Sequence, residues 1–251
     1  MNDDVPARNG LRGRVALVTG AGQRVGRAIA VALGADGWRV AVHFHGSEDG
    51  ARDTVAAIKQ SGGEATMFGA DLGNADAPQQ LVESVMRGTG RLDLLVNSAA
   101  SMHRTPIDSV TVQEWDAIFA LNLRAPFFLS LAAARAMGDR GGVIVNISDH
   151  MGFESWPAFV PHGVSKAALA DMTRALAAVL APRVRVNAVV PGAVLAPASW
   201  PGAEEAKYAA ATPLRRVGSP EDVVAAVRYF VSAGYVTGEL LFVDGGRHGA
   251  R

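Results

Sequence analysis

The strongest constraint on the fold is a regular alternation of short β-branched apolar runs with longer segments of helical periodicity. The apolar runs predict strands at 14–19, 38–44, 65–69, 92–97, 142–148, 184–189 and 239–243. The periodic segments predict helices at 24–33, 49–61, 77–86, 111–137, 158–180 and 220–232. Because strands that alternate with helices form parallel βαβ units, we predict an α/β protein with one doubly wound parallel sheet of about seven strands. Helices are expected to cover both faces of the sheet.

The chain carries no sign of a second domain. Its 251 residues contain no repeat, low-complexity linker or charge block, so a single domain is predicted to span residues 1–251. The polar residues 1–12 are expected to be flexible. Residues 191–219 form a long irregular stretch rich in Pro and Gly, and loops of that length in compact domains are usually functional. This stretch is therefore predicted to be a substrate lid.

Composition narrows the classes of function. The 24 Lys and Arg residues balance 24 Asp and Glu residues, which argues against a nucleic-acid binder, because such proteins usually carry a basic excess. The absence of Cys excludes disulfides, thiolate nucleophiles and Cys-ligated zinc, and no metal site is predicted. The first residues lack an apolar signal region, and no later segment runs about 18 apolar residues without a break. We expect a cytoplasmic protein that acts on a small molecule, without nucleic-acid or membrane partners.

The turn after the first predicted strand is rich in glycine and reads TGAGQRVG at 19–26. In an open parallel sheet, ligands bind beyond the carboxyl ends of the strands. Gly20 and Gly26 allow a tight turn and close packing of the next helix, and the amides at the helix start can cradle a pyrophosphate. A plain strand-to-helix turn would use glycine in the same way, so this turn alone does not establish a nucleotide site.

The order and spacing of further motifs resemble those of the short-chain dehydrogenases/reductases. These motifs are the turn at 19–26, DL at 71–72, NSAA at 97–100, Asn122 with Pro126, VIVNISD at 143–149, SKAA at 165–168, PG at 191–192 and VDGG at 243–246. The resemblance covers residues 14–246 and implies a single-domain Rossmann-type fold. Arg24, where a Gly is usual, and Asp149, where a Ser is usual, make the chain similar to the pteridine reductase branch.

The resemblance implies that a nicotinamide dinucleotide binds along the strand ends. The positions that match the family's cofactor contacts are Gly20, Arg24, Val25 and Gly26 at the pyrophosphate, Asp71 and Leu72 at the adenine, and Asn97, Ala99, Lys166, Pro191 and Gly192. Many family members place a Thr after the Pro-Gly pair, where it bonds the nicotinamide carboxamide or the pyrophosphate. In this chain Ala193 and the four residues after it supply no hydroxyl.

The end of the second predicted strand bears on the choice between NAD and NADP. It reads HFHGS at 43–47 and has no acid to bond both ribose hydroxyls and repel a 2′-phosphate. Arg24 can reach the phosphate, and His45 and Ser47 can donate hydrogen bonds, so NADP(H) is favoured over NAD(H). Pteridine reductases commonly have an Arg where Gly46 stands, so this chain departs from that phosphate site. Partial burial beside the sheet edge is the alternative role for His43 and His45.

The expected catalytic Tyr of the family is missing. Family members donate a proton from a Tyr, and a Lys four residues later on the same helix face lowers the pKa of the Tyr and holds the nicotinamide ribose. Here the Lys is Lys166, and His162 stands four residues before it. Asp149 lies 13 residues before His162, which is the spacing between the family's substrate-orienting residue and its Tyr. This spacing supports the match of His162 to the position of the Tyr. The three Tyr residues of the chain all lie far downstream and are Tyr208, Tyr229 and Tyr235.

Two interpretations of His162 follow. As a proton donor, an imidazole with an unperturbed pKa of about 6.5 titrates near working pH, whereas a phenol has a pKa of about 10. Asp149 favours the imidazolium through its opposite charge, and Lys166 favours the neutral ring. In the alternative, the ordinary chemistry was lost with the Tyr, and His162 fills space or binds a ligand. Asn122 matches the family's helix Asn, which supports a water beside the Lys and completes a proton path. Its alternative role is that of a buried Asn at a helix kink ahead of Pro126, and the two roles are compatible because the kink creates the water site.

The residues after the fourth predicted strand bear on the substrate. Met102 and His103 stand where pteridine reductases present an aromatic ring that sandwiches the pterin against the nicotinamide. Met102 is apolar and polarizable but offers no planar surface, which argues against a pterin. Trp156 and Trp200 can offer aromatic faces near the mouth of the site, and Asp149 is expected to orient either the substrate or His162.

We therefore expect an NADPH-dependent reductase of a small carbonyl or a pterin-like C=N or C=C substrate, with His162 as proton donor. Two alternatives stay open: a non-redox proton-transfer enzyme, such as an isomerase, dehydratase or cyclase, and a non-catalytic nucleotide-binding protein. The family usually buries the helices predicted at 111–137 and 158–180 in subunit interfaces, so the resemblance implies a homodimer or homotetramer.

Overall fold

The computed structural model describes residue 11, residues 13–195 and residues 202–249. Most of the segment expected to be flexible, residues 1–10 and 12, lies outside the described residues, as do residues 196–201 of the expected lid. Trp200, a predicted substrate contact, is among them. Leu11 is described and packs against the core.

A seven-stranded sheet lies at the centre of the molecule. Its strands are β1 (Val15–Val18), β2 (Arg39–Phe44), β3 (Glu64–Gly69), β4 (Leu94–Asn97), β5 (Gly142–Ile147), β6 (Val184–Pro191) and β7 (Leu240–Val243). The helices are α1 (Arg24–Ala35), α2 (Glu48–Gln60), α3 (Ala77–Thr89), α4 (Val112–Phe119), α5 (Ala125–Met137), α6 (Val160–Leu180), α7 (Gly202–Ala210) and α8 (Pro220–Ser232). The strand order is β3-β2-β1-β4-β5-β6-β7, and every neighbouring pair is parallel. The predicted doubly wound parallel sheet is confirmed.

Alternate residues of the strands enter separate cores on the two faces of the sheet. In β1, Ala16 and Val18 join the core beneath α1, α2 and α8, whereas Val15 and Leu17 join the core beneath α3, α5 and α6. Burial on both faces explains why the strands are continuous apolar runs in the sequence. β2 and β3 lie on one side of β1, and β4 to β7 lie on the other. The strand order therefore reverses beside β1, and a crevice opens there at the carboxyl ends of the strands.

The helix predicted at 111–137 is interrupted in the structure. A π-helical turn, Ala120–Arg124, separates α4 from α5. Pro126 follows this turn and has no N–H to donate to an earlier carbonyl. Within the turn, the side chain of Asn122 accepts the amide of Ser101 and donates to the carbonyl oxygen of the same residue. Sequence periodicity does not register a widened turn of this kind, which is a frequent feature of functional sites.

The stretch 191–219 is more regular than its sequence predicts. β6 continues to Pro191, and Gly202–Ala210 form α7. The residues of α7 are rich in Ala, Glu and Lys, which are strong helix formers, and the fold buries one of its side chains, Tyr208. A role for this segment as a substrate lid stays a prediction.

The helical stretch Val112–Arg140 is long and apolar enough, by length and composition alone, to cross a membrane. Half of its most apolar window is buried inside the fold, where α5 packs against α3 and α6. We interpret this stretch as a core helix on one face of the sheet.

Candidate active site

A cavity of about 530 Å³ runs along the carboxyl ends of the strands. One end is lined by the glycine-rich turn and the end of β2, and the other by Asp149, His162 and Lys166. A second cavity of about 620 Å³ lies beside α8 and β7, and the described residues that line it are mainly apolar and include no predicted site residue. The first cavity therefore brings together the two halves of the predicted site.

The glycine-rich turn is shaped by close backbone packing. Gly20 has φ of +65°, and a Cβ there would lie 2.9 Å from the Cα of Ala99. A Cβ at Gly26 would overlap the carbonyl oxygen of Gly20. The hydroxyl of Thr19 accepts the amides of Ser98 at 2.9 Å and Ala99 at 3.0 Å, so it fixes the loop after β4 against this turn. Glycine is required at both positions because backbone occupies the space of any side chain.

Arg24 adopts a backbone conformation that favours glycine. Its φ is +52°, in the left-handed region that residues with a side chain rarely adopt. Its guanidinium lines the cavity and donates to the carbonyl oxygen of Leu195 at 3.2 Å. Strained residues of this kind cluster at ligand sites, where the side chain has a role that glycine does not fill.

His43, in β2, links the glycine-rich turn after β1 to the backbone that follows β3. Its Nδ1 accepts the amide of Gly20 at 3.1 Å, so Nε2 carries the proton and donates to the carbonyl of Ala70 at 3.1 Å. Burial lowers the pKa of His43 to about 4, despite the hydrogen bond to Ala70. The ring is therefore neutral at ordinary pH and acts as a structural bridge, in agreement with the alternative of burial at the sheet edge.

The end of β2 opens into the cavity through His45, Gly46 and Ser47. A Cβ added to Gly46 would meet no atom within 4 Å, so this corner has room for a ligand. The exposed ring of His45 lies 3.5 Å from Asp71, measured from Nδ1 to the carboxylate. Leu72 lines the cavity beside them.

The remaining predicted cofactor contacts separate into two groups. Val25, Ala99, Pro191 and Gly192 line the cavity. Asn97 instead lies buried in the sheet, where its amide donates to Asn146 at 2.8 Å. Asp71 turns a carboxylate oxygen toward the amide of Gly73, which donates to it at 2.9 Å.

His162 is held by polar groups on both sides of its ring. Its Nδ1 lies 3.0 Å from the carbonyl oxygen of Ser101, and its Nε2 lies 3.4 Å from a carboxylate oxygen of Asp149. The amide nitrogen of Asn122 lies 3.3 Å from Nδ1 and also donates to Ser101 at 3.0 Å and Ser165 at 3.1 Å. Nε2 faces a carboxylate, whereas Nδ1 faces both the carbonyl oxygen of Ser101 and the amide donor of Asn122. A ring that carries a proton on each nitrogen satisfies the two oxygens, and a ring with a bare Nδ1 accepts from Asn122.

Asp149 lies between two imidazoles. One oxygen faces His162, and the other accepts the amide of Met151 at 2.8 Å and lies 3.1 Å from Nδ1 of His150. Burial on its own would raise the pKa of Asp149, but the two neighbouring imidazoles outweigh it and hold the pKa well below its usual range. The group is therefore a carboxylate at any working pH.

The position of His150 beside Asp149 allows it either to line the pocket or to be solvated, and in the structure it is 6% exposed and lines the cavity. Its ring lies between Asp149 and Glu154, whose carboxylate is 3.9 Å from Nε2. Within the described part of the chain, neither ring nitrogen has an aligned hydrogen bond, and the same holds for the indole nitrogen of Trp156. The adjacency of His150 to Asp149 was the one available signal, because a histidine in a loop is otherwise more often solvated.

Lys166 is buried at the centre of the catalytic end. Its ammonium donates to the carbonyl oxygen of Ile147 at 2.8 Å. Burial lowers the pKa of Lys166 to about 8, and the negative charge of Asp149 limits the decrease. The side chain is thus a cation in neutral solution that loses its charge in mild alkali.

The predicted substrate contacts are placed differently from one another. Met102 lines the cavity, whereas His103 lies on the surface with Nδ1 3.2 Å from the hydroxyl of Ser101. Trp156 and Tyr208 complete the wall at this end. Sequence reasoning left Tyr208 without a required role, since only the tertiary fold brings α7 to the strand ends.

Comparison with known proteins places these features in a family. A family model described as enoyl-(acyl carrier protein) reductase matches residues 20–248. The chain is 37% identical to 3beta-hydroxysteroid dehydrogenase 1 of Eggerthella lenta over 94% of each protein. It is 35% identical to a 3-oxoacyl-[acyl-carrier-protein] reductase of Synechocystis, over 94% of this chain and 97% of that protein.

Solved structures show the same likeness. The structure of FolM alternative dihydrofolate reductase 1 from Brucella canis, complexed with NADP, has a TM-score of 0.89 and 33% sequence identity, with 96% of each chain covered. A dehydrogenase/reductase from Sinorhizobium meliloti has a TM-score of 0.88 and 36% identity, over 94% of this chain and 96% of that one.

Proposed function

The chain belongs to the short-chain dehydrogenase/reductase family of oxidoreductases, and on that basis we propose that it is an NADPH-dependent reductase in which His162 donates the proton. The proposed substrate is a small carbonyl compound or a pterin-like molecule with a C=N or C=C bond. The observation that carries this proposal is the meeting of His162, Asp149 and Lys166 in the cavity that begins at the glycine-rich turn.

The residues along the cavity fit a dinucleotide. Arg24, His45 and Ser47 supply donors for phosphate at one end, and the buried ammonium of Lys166 supplies donors for ribose hydroxyls at the other. The crevice lies at the topological switch of the sheet, where dinucleotides bind in doubly wound folds. When bound, the nicotinamide cofactor supplies the hydride.

Preference for NADP rests on the end of β2. No acid stands at 43–47, at the end of this strand, and the cation of Arg24 lines the same cavity. The relative from Brucella canis, whose structure contains NADP, supports the same preference. A free corner at Gly46 leaves room for the 2′-phosphate.

Proton donation fits the geometry of His162. In the proposed step Nε2 gives its proton to the substrate heteroatom while Nδ1 keeps its proton on the carbonyl oxygen of Ser101. The neutral ring then takes up a proton from solvent at Nε2 before the next turnover. Asp149 stabilises the charged ring before transfer. Both oxygens of Asp149 already face donors of the protein. This favours a role in orienting His162 over direct binding of the amino group of a pterin-like substrate.

The His162–Asp149 pair also supports a second candidate function, proton transfer without net redox chemistry. Such a pair moves protons without a hydride donor. A third candidate, nucleotide binding without catalysis, differs in predicting no turnover.

The test is consumption of NADPH or NADH by the wild-type protein across dihydrobiopterin, dihydrofolate, quinones and small ketones. We expect oxidation of NADPH in equal amount to product, and tighter binding of NADPH than of NADH. Tighter binding of NADH would overturn the cofactor preference. Product without cofactor oxidation would favour the non-redox candidate, and binding without turnover would favour the non-catalytic one.

We also propose a homodimer or homotetramer that pairs α4, α5 and α6. Large apolar side chains are exposed on these helices and include Val112, Trp115, Phe128, Val164 and Val179. Exposed apolar patches of this kind mark subunit interfaces. Light scattering after size exclusion tests this, and a monomer at micromolar concentration would contradict it.

A further inference from the structure

Tyr208 lies beside Gly192 and Ala193. The residues that follow the Pro-Gly pair directly in the sequence, 193–197, carry no hydroxyl. Its phenol oxygen accepts the amide of Ala193 at 2.9 Å, and a Cβ added to Gly192 would lie 2.9 Å from the same oxygen. Resting on the proposed function, we propose that Tyr208 is a cofactor-binding residue whose hydroxyl donates to the carboxamide oxygen of the nicotinamide.

The chemistry of the hydroxyl defines the ligand atom. Because the phenol oxygen accepts the amide of Ala193, a ligand that meets this hydroxyl through its O–H must present an acceptor. Burial raises the pKa of Tyr208, so the phenol keeps this proton throughout the working range. A carboxamide oxygen is an acceptor of this kind.

The position along the cavity distinguishes the nicotinamide from the phosphates. Gly192 follows β6, and the ring of Tyr208 lies 6.0 Å from that of His150, next to Asp149. The end of β2 lies farther away, beyond β1 and β4 in the sheet, whereas Arg24 reaches across to the carbonyl oxygen of Leu195 in the loop after Gly192. A dinucleotide whose adenosine phosphate lies at the end of β2 places its nicotinamide at the end that holds Tyr208.

The ring of Tyr208 is fixed from behind. The guanidinium of Arg247 lies 4.5 Å from the ring centre and forms two hydrogen bonds of 2.8 Å with Glu154. The ring is only 7% exposed although it stands on the short helix α7. A preorganised donor of this kind loses little entropy when it binds.

The experiment measures binding and needs no substrate. Dissociation constants of NADPH and of 2′-phospho-ADP-ribose, which lacks the nicotinamide, are measured by calorimetry for wild type, Tyr208→Phe and Tyr235→Phe. Tyr235 is fully exposed and serves as the matched control. We expect Tyr208→Phe to weaken NADPH about fivefold to tenfold and to leave the fragment within about twofold of wild type.

Each other outcome overturns the proposal. Equal weakening of both ligands would show that the hydroxyl only supports the loop at Ala193, and no weakening of either would show that the hydroxyl does not touch the cofactor. If wild type binds neither ligand, the cofactor assignment under the proposed function fails as well. If wild type binds both ligands but Tyr208→Phe has no selective effect on NADPH, the role proposed for Tyr208 is wrong and the cofactor assignment stands.

Discussion

At the nucleotide end of the cavity, backbone atoms and glycines define the shape of the site. At the catalytic end, buried ionisable side chains define it. Gly20 and Gly26 allow main chain to pack where any side chain would collide, whereas His162, at the spacing expected for the family's Tyr, is held by Asp149 and Ser101. The glycines of the first end match the pattern expected of the family, and the proton donor proposed at the second end does not.

This difference has a physical basis. A phosphate-binding turn depends on the path of the main chain, which only glycine permits, so its sequence has little freedom. Proton transfer depends on the charge and orientation of one group, which several residue types supply if their neighbours change with them. Here Asp149 contacts His162, and His150 contacts the other oxygen of Asp149.

The largest expected effect is at the nucleotide end. In Gly26→Ala the new Cβ overlaps the carbonyl oxygen of Gly20, so the turn must shift. We expect loss of measurable NADPH binding by calorimetry and a decrease of about 2 kcal/mol in the free energy of unfolding. In the control Gly234→Ala the added Cβ meets no atom within 4 Å. Unchanged NADPH binding by Gly26→Ala would show that this turn does not hold the cofactor.

The second prediction separates the two ends. Asp149→Asn keeps the shape of the side chain but removes the charge that faces Nε2 of His162. We expect kcat to fall about 100-fold while the dissociation constant of NADPH stays within about twofold. Asp171→Asn, an exposed change on the same helix as His162, is the control. A parallel loss of NADPH affinity would mean that Asp149 serves the cofactor and not the proton donor.

The third prediction concerns pH. The pKa of Lys166 is lowered to about 8 by burial, so its ammonium is present below that pH and is lost above it. We expect a limb of decreasing kcat/KM at about pH 8 that moves to higher pH in Lys166→Arg, because a guanidinium stays protonated. The same alkaline limb in both proteins would assign it to another group. Lys166→Met, which has no charge to lose, should show a low rate without this limb.

The smallest expected effect tests where the 2′-phosphate binds at the nucleotide end. Gly46→Arg restores a cation that pteridine reductases commonly have, in a corner where a Cβ meets no atom within 4 Å. We expect NADPH to bind about threefold to tenfold more tightly, with NADH unchanged, because the added cation pairs with the 2′-phosphate alone. Equal gains for both cofactors would place the phosphate elsewhere.

Much of the fold was predictable because its signals are local. The seven strands and the sheet follow from apolar runs and helical periodicity, and the structure confirms them. A helix kink ahead of Pro126 was predicted, but its form as a π-helical turn was not, since it depends on the contact of Asn122 with Ser101. The helix α7 was not predicted, because it lies in a stretch interpreted as a loop.

The site was predictable where family motifs fix it and less so elsewhere. Spacing located His162, Asp149 and Lys166, which the structure brings into one cavity. The burial of His150 and the approach of Tyr208 to Ala193 depend on tertiary packing between distant segments. His103 was predicted from its place after β4, but its side chain turns to the surface and bonds near Ser101.

The central claim is that His162 replaces the family's Tyr as the proton donor. Its most direct test is the single-turnover rate of NADPH oxidation by wild type, His162→Phe and His162→Tyr, with a substrate found in the panel above. We predict that His162→Phe binds NADPH within about twofold of wild type but reacts at least about 100-fold more slowly, and that His162→Tyr recovers part of the rate. A His162→Phe protein that reacts as fast as wild type would contradict the account.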